Sequence, residues 1–307
     1  MGATGSLFHA ITGHFLPKPP ASRLESGARS VLVAAMLFSP EHRAQLETAG
    51  YARVENVIPR ALVDALLRAV PAVSLARLDD PASWYHHKGI IPVHHHQAQW
   101  DIRQHPRLHH TFAELWQTDA LWVTMDRIGF VPPWRPGDPG PRMHWDGDPR
   151  LTVRNYQAIV YLTDASAERA PFCTLPSVYQ NLASWLADKP AEWSHRSADF
   201  SSLTMTPVPG NAGDLLIWDS RLPHGPGWNH STSPRLMQAV SMFKAPRQGG
   251  GWPGVRDWPK EEQIEWWQTK RAPPWWRNVP LQVDPEPGAP AELTSLGRRL
   301  VGLEDWG

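Results

Sequence analysis

A mainly β fold with flanking helices is predicted by three features of this 307-residue chain. Six short apolar runs between residues 121 and 244 are separated by Pro, Gly and Asp turns, the spacing of a sandwich or a jelly roll. Proline reaches 32 residues, which favours many loops around a sheet over a helical bundle. The stretches with helical periodicity lie on either side of that strand block, toward the two ends of the chain.

Residues 1 to about 38 lack clear periodicity and are expected to drape over the fold. Ser39-Pro40-Glu41 starts a helix, with Ser39 as N-cap and Pro40 at the first helical position; the helix passes Leu46 and stops at Gly50. Tyr51 to Val57 reads as a short strand. Pro59 to Val70 reads as a helix with Leu62, Ala65, Leu66 and Ala69 on one face. Trp84 to His110 carries eight of the fifteen histidines, and Arg107 to Trp116 closes it as a helix. The expected strands are Leu121–Phe130, Tyr156–Thr163, Phe172–Leu175, Ser202–Val208, Asp214–Asp219 and Leu236–Lys244. Beyond Gly249 the chain is rich in Trp and Pro, with helices expected at Lys260–Thr269 and Leu293–Leu303. The whole is read as one catalytic domain, with an N-terminal helical and lid region at 39–120, a β core at 121–248 and an extension at 249–307.

Bulk composition narrows the function. Thirty basic residues balance thirty acidic ones and the isoelectric point is near 7.3, against a nucleic-acid or membrane-surface binder. The lone Cys173 excludes an intramolecular disulfide and fits a reducing compartment. No export signal or membrane-length apolar run is read, so a cytoplasmic protein acting on a small molecule is expected. Seventeen tryptophans can fill a large core or line an aromatic pocket.

The chemistry is carried by His144-Trp145-Asp146, by His224, and by Arg235 eleven residues later. Two imidazoles and a carboxylate are the facial triad that holds non-haem Fe(II) and leaves positions open for oxygen. His-x-Asp alone recurs by chance about once in a chain of this composition. Its placement adds weight: side chains two apart at the start of a strand point the same way. Pro209-Gly210-Asn211-Ala212-Gly213 reads as a tight turn that feeds the buried run Asp214–Asp219 and delivers His224 beyond it, flanked by Pro223 and Gly225. Arg235 opens the following strand, where a guanidinium can hold a carboxylate through two parallel hydrogen bonds.

The order His144-x-Asp146, then Asp214-Leu-Leu-Ile-Trp-Asp-Ser-Arg-Leu-Pro-His224-Gly, then Arg235 resembles the phytanoyl-CoA dioxygenase family. Gly50-Tyr51-Ala52-Arg53-Val54-Glu55-Asn56-Val57-Ile58-Pro59 is similar to that family's opening strand and following helix, so the resemblance spans roughly residues 40 to 245. It implies a double-stranded β-helix, the cupin-like jelly roll, and an oxygenase dependent on Fe(II), 2-oxoglutarate and O2 that releases succinate and CO2. In that scheme His144, Asp146 and His224 bind iron and Arg235 pairs with the distal carboxylate of 2-oxoglutarate. The retained Asp146 favours hydroxylation, or a sibling oxidation such as desaturation or ring closure, over halogenation, because related halogenases replace this carboxylate with a small residue. Three departures bear on the pocket: Leu175-Pro176-Ser177-Val178-Tyr179 replaces a Pro-Gly-Ser-His turn, Pro226 stands where a serine commonly helps hold 2-oxoglutarate, and Arg127 falls where some relatives carry Gln or Met. Arg127 and Trp145 are further candidates for the cofactor pocket.

Blander readings stand beside these. Arg127 fits a structural ion pair as well as a ligand contact. His94-His95-His96, with His86 and His87, tempts a second metal site, but neighbouring side chains on an extended chain alternate; a solvated or substrate-facing loop is expected instead. Gln99-Trp100-Asp101-Ile102-Arg103 is read as a lid element, and Asp148 as a turn residue. The pairs Trp266-Trp267 and Trp275-Trp276 are read as packing on the core or on a partner in a homodimer, with an aromatic substrate wall as the alternative. Against the oxygenase stand a catalytically silent jelly-roll binding protein and a Zn-dependent hydrolase or isomerase on the same triad.

Overall fold

A computed structural model describes residues 36–86, 89–150, 154–245 and 259–307. The expectations for residues 1–35, for His87 and for the start of the C-terminal extension lie outside the described residues. The chain opens with α1 (Pro40–Ala49), β1 (Tyr51–Val54) and α2 (Arg60–Val73), followed by β2 (Ile90–Ile91), α3 (Gln97–Arg103) and α4 (Pro106–Trp116). The β block then runs β3 (Leu121–Val123), β4 (Ile128–Val131), β5 (Tyr156–Tyr161) and β6 (Phe172–Thr174). Two short helices, α5 (Pro176–Gln180) and α6 (Leu182–Ala187), interrupt it before β7 (Thr206–Val208), β8 (Leu215–Asp219), β9 (His224–Pro226), β10 (Arg235–Ala239) and β11 (Met242–Lys244). Helices α7 (Lys260–Thr269) and α8 (Ser295–Val301) follow.

The local chemistry of α1 explains its ends. Ser39 accepts from the His42 amide, the His42 ring accepts from the Ser39 amide, and Gly50 closes the helix in the left-handed conformation at φ 82°. In α2 the buried residues are Val63, Leu66 and Val70, so the apolar stripe lies one position away from the expected face. Leu62, Ala65 and Ala69 sit at its half-buried margins.

Six strands form an antiparallel sheet in the order β1-β8-β5-β10-β4-β2, and three form a second one, β7-β6-β9. Strands β1 and β2 come from the N-terminal region and supply both edges of the larger sheet. The architecture is a jelly roll, mostly antiparallel with helices on its outer side. Strand alternation divides the interior. On β5 and β8, Ala158, Val160, Leu215 and Ile217 join the core shared with α2, α3 and α4. Their neighbours Ile159, Tyr161, Leu216 and Trp218 pack with Phe172 and Val208 of the smaller sheet. Apolar residues on both faces explain why these strands read as continuous hydrophobic runs.

Two expected strands are each broken in two. Leu121–Phe130 divides into β3 and β4, and Leu236–Lys244 into β10 and β11, with β3 and β11 pairing separately. The breaks face each other: Thr124 N donates to Ser241 O (2.9 Å), Ser241 N to Thr124 Oγ1 (2.9 Å), and Ala158 N to Ser241 Oγ (3.0 Å). Hydroxyls there stand in for backbone acceptors, so the strands bend without orphaning amides.

The histidine run is not a solvated loop. His94 and His95 are each 1% exposed, with His94 Nδ1 on Met125 O (3.0 Å) and His95 Nε2 on Arg271 O (2.9 Å). His96 is the N-cap of α3, accepting from Ala98 N, while Gln99 Oε1 accepts the His96 amide. Nor is Gln99–Arg103 a lid, because Gln99, Trp100, Ile102 and Arg103 are wholly buried within α3. The C-terminal extension is tied to this region by Glu286, whose carboxylate accepts the His94 and His95 amides.

Candidate metal centre and co-substrate pocket

His144 and His224 come from different parts of the chain and are joined by one antiparallel bridge: His144 N donates to His224 O (2.9 Å) and His224 N to His144 O (3.0 Å). His224 begins β9 in the smaller sheet, whereas His144 and Asp146 lie in an irregular segment ahead of β5 rather than at a strand start. Gly225 permits the approach, since a Cβ there would lie 2.5 Å from Arg142 O. The close approach at this glycine is to the backbone carrying the other histidine. Gly213, at φ 96°, makes the turn into β8; a Cβ on it would meet Ile58 O at 2.4 Å.

The bridge brings His144, Asp146 and His224 together. One ligand atom from each lies within 4.8 Å of the others. Asp146 Oδ1 is 3.5 Å from His144 Nε2 and Oδ2 is 3.4 Å from His224 Nε2. The opposite ring nitrogens are engaged by carbonyls: His144 Nδ1 lies 3.2 Å from Arg142 O and His224 Nδ1 2.9 Å from Leu222 O. With the proton on Nδ1, each Nε2 presents its lone pair toward Asp146, the arrangement that orients imidazoles for a metal. The His224 ring is fixed further by Phe172, stacked at 5.6 Å and 9°, and by Trp218 at 4.9 Å. Burial opposes charge on both His144 and Asp146, but their mutual attraction wins. The His144 pKa is raised, and the Asp146 carboxyl, facing two imidazoles, is held well below its usual value. An anionic carboxylate between two neutral-capable imidazoles is a donor set suited to a divalent iron.

Gln157 is the residue that sequence reasoning missed. Its Nε2 donates to Asp146 Oδ2 (2.5 Å), while its Oε1 accepts from Trp218 Nε1 (3.0 Å), so the carboxylate is aimed by an amide that is itself pinned. A lone polar side chain within the apolar run Tyr156–Tyr161 was the available signal.

The cluster opens into a cavity of about 840 Å³ whose floor is the inner face of β5, β10 and β4. Arg235, Met237 and Ala239 line it by strand alternation. Arg235 is only 2% exposed; its Nε donates to Ala170 O (2.7 Å), and its Nη1 is buried with no hydrogen-bond partner. Burial lowers its pKa, and the ionisable groups acting on it are Tyr161 and Cys173, themselves pushed up to about 12 and about 11 by burial. Neither is an anion at neutral pH. A desolvated guanidinium with a free fork edge fits the incoming carboxylate of a co-substrate.

Trp145 contributes to the wall, but its ring is committed elsewhere. It packs on Trp185, Trp193 and Phe200 at 5.0–6.1 Å, and its Nε1 donates to Arg221 O (2.7 Å). Lying between two side chains that face the cluster, its ring packs away from them by alternation. Arg127 does face the cavity, with its guanidinium 3.4 Å from the centre of the Trp276 ring and Nη1 buried without a partner. Trp275 and Trp276 line the same cavity, so the aromatic-wall alternative applies to that pair, whereas Trp266 is buried in the core and Trp267 packs against it. Asp148 pairs with Arg150 at 2.5 Å in the turn expected of it.

The family model for phytanoyl-CoA dioxygenase (PhyH) matches residues 46–237, more than half of the chain. The chain belongs to the phytanoyl-CoA dioxygenase family. Members are dioxygenases that use iron and 2-oxoglutarate, and both fit here: the His-Asp-His donors suit the metal, and the unpartnered Nη1 of Arg235 suits the carboxylate. Among solved structures, the epimerase SnoN from nogalamycin biosynthesis is 19% identical, covering 82% of this chain and 94% of its own, with a TM-score of 0.52. A second SnoN structure, in complex with Fe3+, alpha ketoglutarate and nogalamycin RO, is 18% identical over 83% and 94% at 0.51. A putative oxidoreductase from Salmonella typhimurium LT2 is 16% identical over 86% and 82% at 0.59. These likenesses are of fold. No curated protein sequence matches the chain. Among the described residues no helix is long and apolar enough to cross a membrane.

Proposed function

We propose that this dioxygenase hydroxylates an unactivated C–H bond of a small metabolite, consuming 2-oxoglutarate and O2 and releasing succinate and CO2, and that residues 1–307 form its single catalytic domain. The observation that carries the reading is the convergence of His144, Asp146 and His224 on one cavity with Arg235, whose buried Nη1 has no hydrogen-bond partner. His144, Asp146 and His224 would hold Fe(II), and Arg235 the distal carboxylate of 2-oxoglutarate. Bound together, iron and co-substrate supply the oxidant.

The chain's own residues do the rest. Arg142 O and Leu222 O hold the imidazoles in one tautomer, and Gln157 holds the Asp146 carboxylate in place. Ile159, Phe172, Trp218 and Met237 surround the cluster with apolar surface, which keeps bulk water from the reacting C–H. No side chain is needed as a general acid or base.

The deciding experiment is anaerobic titration of the apo-protein with Fe(II) and 2-oxoglutarate, followed by the metal-to-ligand charge-transfer band. The band is expected only with both present. In Arg235→Ala, 2-oxoglutarate affinity is expected to fall about tenfold or more, the value of a charge-assisted pair. A folded, Fe(II)-loaded protein that shows no band would sink the reading in favour of a silent binding protein or a hydrolase. Succinate release without a product one oxygen heavier than its substrate would remove hydroxylation alone.

A further inference from the structure

The cavity has a guanidinium at each end of its β4–β10 floor, and the two ends differ. Arg235 pairs in register with Val131, Met237 with Gly129, and Ala239 N donates to Arg127 O (3.1 Å). Arg127 therefore lies four residues from Arg235 along the ladder, about 13 Å at the rise of a β-strand, on the same inward-facing parity. We propose that Arg127 anchors an oxyanion of the primary substrate, a carboxylate or a phosphate ester, whose apolar body lies along Trp275 and Trp276. The proposal rests on the oxygenase reading and names the substrate class for that same cavity.

Three observations carry it. First, Arg127 has no ion pair among the described residues. Its Nη1 is buried and without a partner, and its face is stacked on Trp276. The adjacent Asp126 accepts from Trp276 Nε1 through Oδ1 (2.6 Å), which fixes the ring on which Arg127 lies. An unpaired buried charge is costly to a fold, and a ligand that brings the opposite charge explains its presence better than packing does. Burial also pulls its pKa down, while Asp126 and Asp146 work to keep it charged.

Second, the co-substrate has no carboxylate left for it. 2-Oxoglutarate carries two, of which Arg235 would hold one and the metal the other; a third anion site in the cavity is for another molecule. Third, the wall beside Arg127 lies outside the stretch that the family model matches. Trp275 and Trp276 lie beyond residues 46–237, and Trp275 is set edge-on against the buried Trp266 (5.3 Å, 89°). A rigid indole surface next to a bare guanidinium selects a molecule with an apolar, ring-bearing body and an anionic head.

The test uses the full chain, with Fe(II) and 2-oxoglutarate added anaerobically, and three probes: benzoate, phenyl phosphate and benzamide. Their binding is measured by calorimetry and 2-oxoglutarate binding by the charge-transfer band. Saturable binding of benzoate or phenyl phosphate is expected, with benzamide weaker by about tenfold or more. The tighter of the two anions tells carboxylate from phosphate. Arg127→Met should abolish the preference for anions, Arg127→Lys should retain part of it, and both should leave 2-oxoglutarate affinity unchanged.

Equal binding of benzoate and benzamide, or no saturable binding of either anion, overturns the proposal on wild-type protein alone, even if a variant fails to fold. Loss of 2-oxoglutarate affinity in Arg127→Met with anion binding intact overturns it too, assigning Arg127 to the co-substrate. Absence of the charge-transfer band in wild type strikes the oxygenase reading instead, and the anion preference still reports on Arg127.

Discussion

His144 with His224, and His94 with His95, are held in much the same way: in each pair every ring has one nitrogen against a backbone carbonyl. What faces the other nitrogen differs. The Nε2 atoms of His144 and His224 meet a carboxylate, and Asp146 keeps 49% of its side-chain surface accessible at the cavity. His94 Nε2 and His95 Nδ1 are buried with no partner at all. The first pair can take up a cation, and the second can only stay neutral. A histidine-rich segment is therefore no guide to a metal site; a carboxylate in reach and an opening beside it are.

The sharpest way to break this contrast is to remove one imidazole from each pair. His224→Ala takes away a ligand, and Fe(II) affinity should fall by more than about 100-fold, since even an outer partner of a ligand is worth up to that much. His95→Ala should leave Fe(II) affinity unchanged while lowering the melting temperature. Calorimetric Fe(II) titration of both variants checks the pair; equal loss of metal in the two would show that the sites are coupled.

Acid should separate them next. Burial lowers the His94 pKa to about 4, well below its ordinary 6.5. For a depressed histidine the stabilising contribution is complete above pH 6.5, where the unfolded ring is also neutral, and is lost as pH falls through about 4. The loss for this one ring is about 2 kcal/mol by pH 5 and about 3 kcal/mol by pH 4. His144 has the opposite sign: Asp146 raises its pKa against burial, so its contribution is present below pH 6.5 and lost as pH rises through the folded value. Urea unfolding of metal-free protein at several pH values tests this. The stability gap between wild type and His94→Asn should close as pH falls from 7 toward 4, and a constant gap would show that His94 protonates in the folded state.

The same contrast shows how far the sequence reaches. Caps are local, so Ser39, Pro40 and Gly50 mark α1 correctly, and the expected Lys260–Thr269 is α7 to the residue. The triad was legible because its spacing and order are themselves the signal. Burial is not local. Nothing in His94-His95-His96 says that Glu286, nearly two hundred residues on, takes the His94 and His95 amides, or that α3 is packed inside rather than laid over the pocket. The strand breaks at Thr124 and Ser241 are invisible for the same reason, since each hydroxyl serves a backbone group on another strand. For Trp145, alternation, which pairs His144 with Asp146, also turns the ring between them toward Trp185, Trp193 and Phe200.

Gln157 sharpens the comparison at its finest grain, because it marks the metal-facing pair without being a ligand. Its amide is held by Trp218 and spends its N–H on Asp146 Oδ2; neither His94 nor His95 has such a carboxylate to orient. Gln157→Leu keeps roughly the volume and the apolar inner face of β5 but frees the carboxylate to rotate. Fe(II) affinity should drop about 10- to 100-fold with little change in melting temperature, the mark of an outer partner rather than a packing residue. Gln157→Glu is the harsher form: a second carboxylate against Asp146 would have to share a proton with it or repel it, so metal binding should become steeper with pH. If Gln157→Leu bound iron as wild type does, the pinned amide would be a consequence of Trp218 packing. The two imidazole–carbonyl contacts would then suffice to set the site.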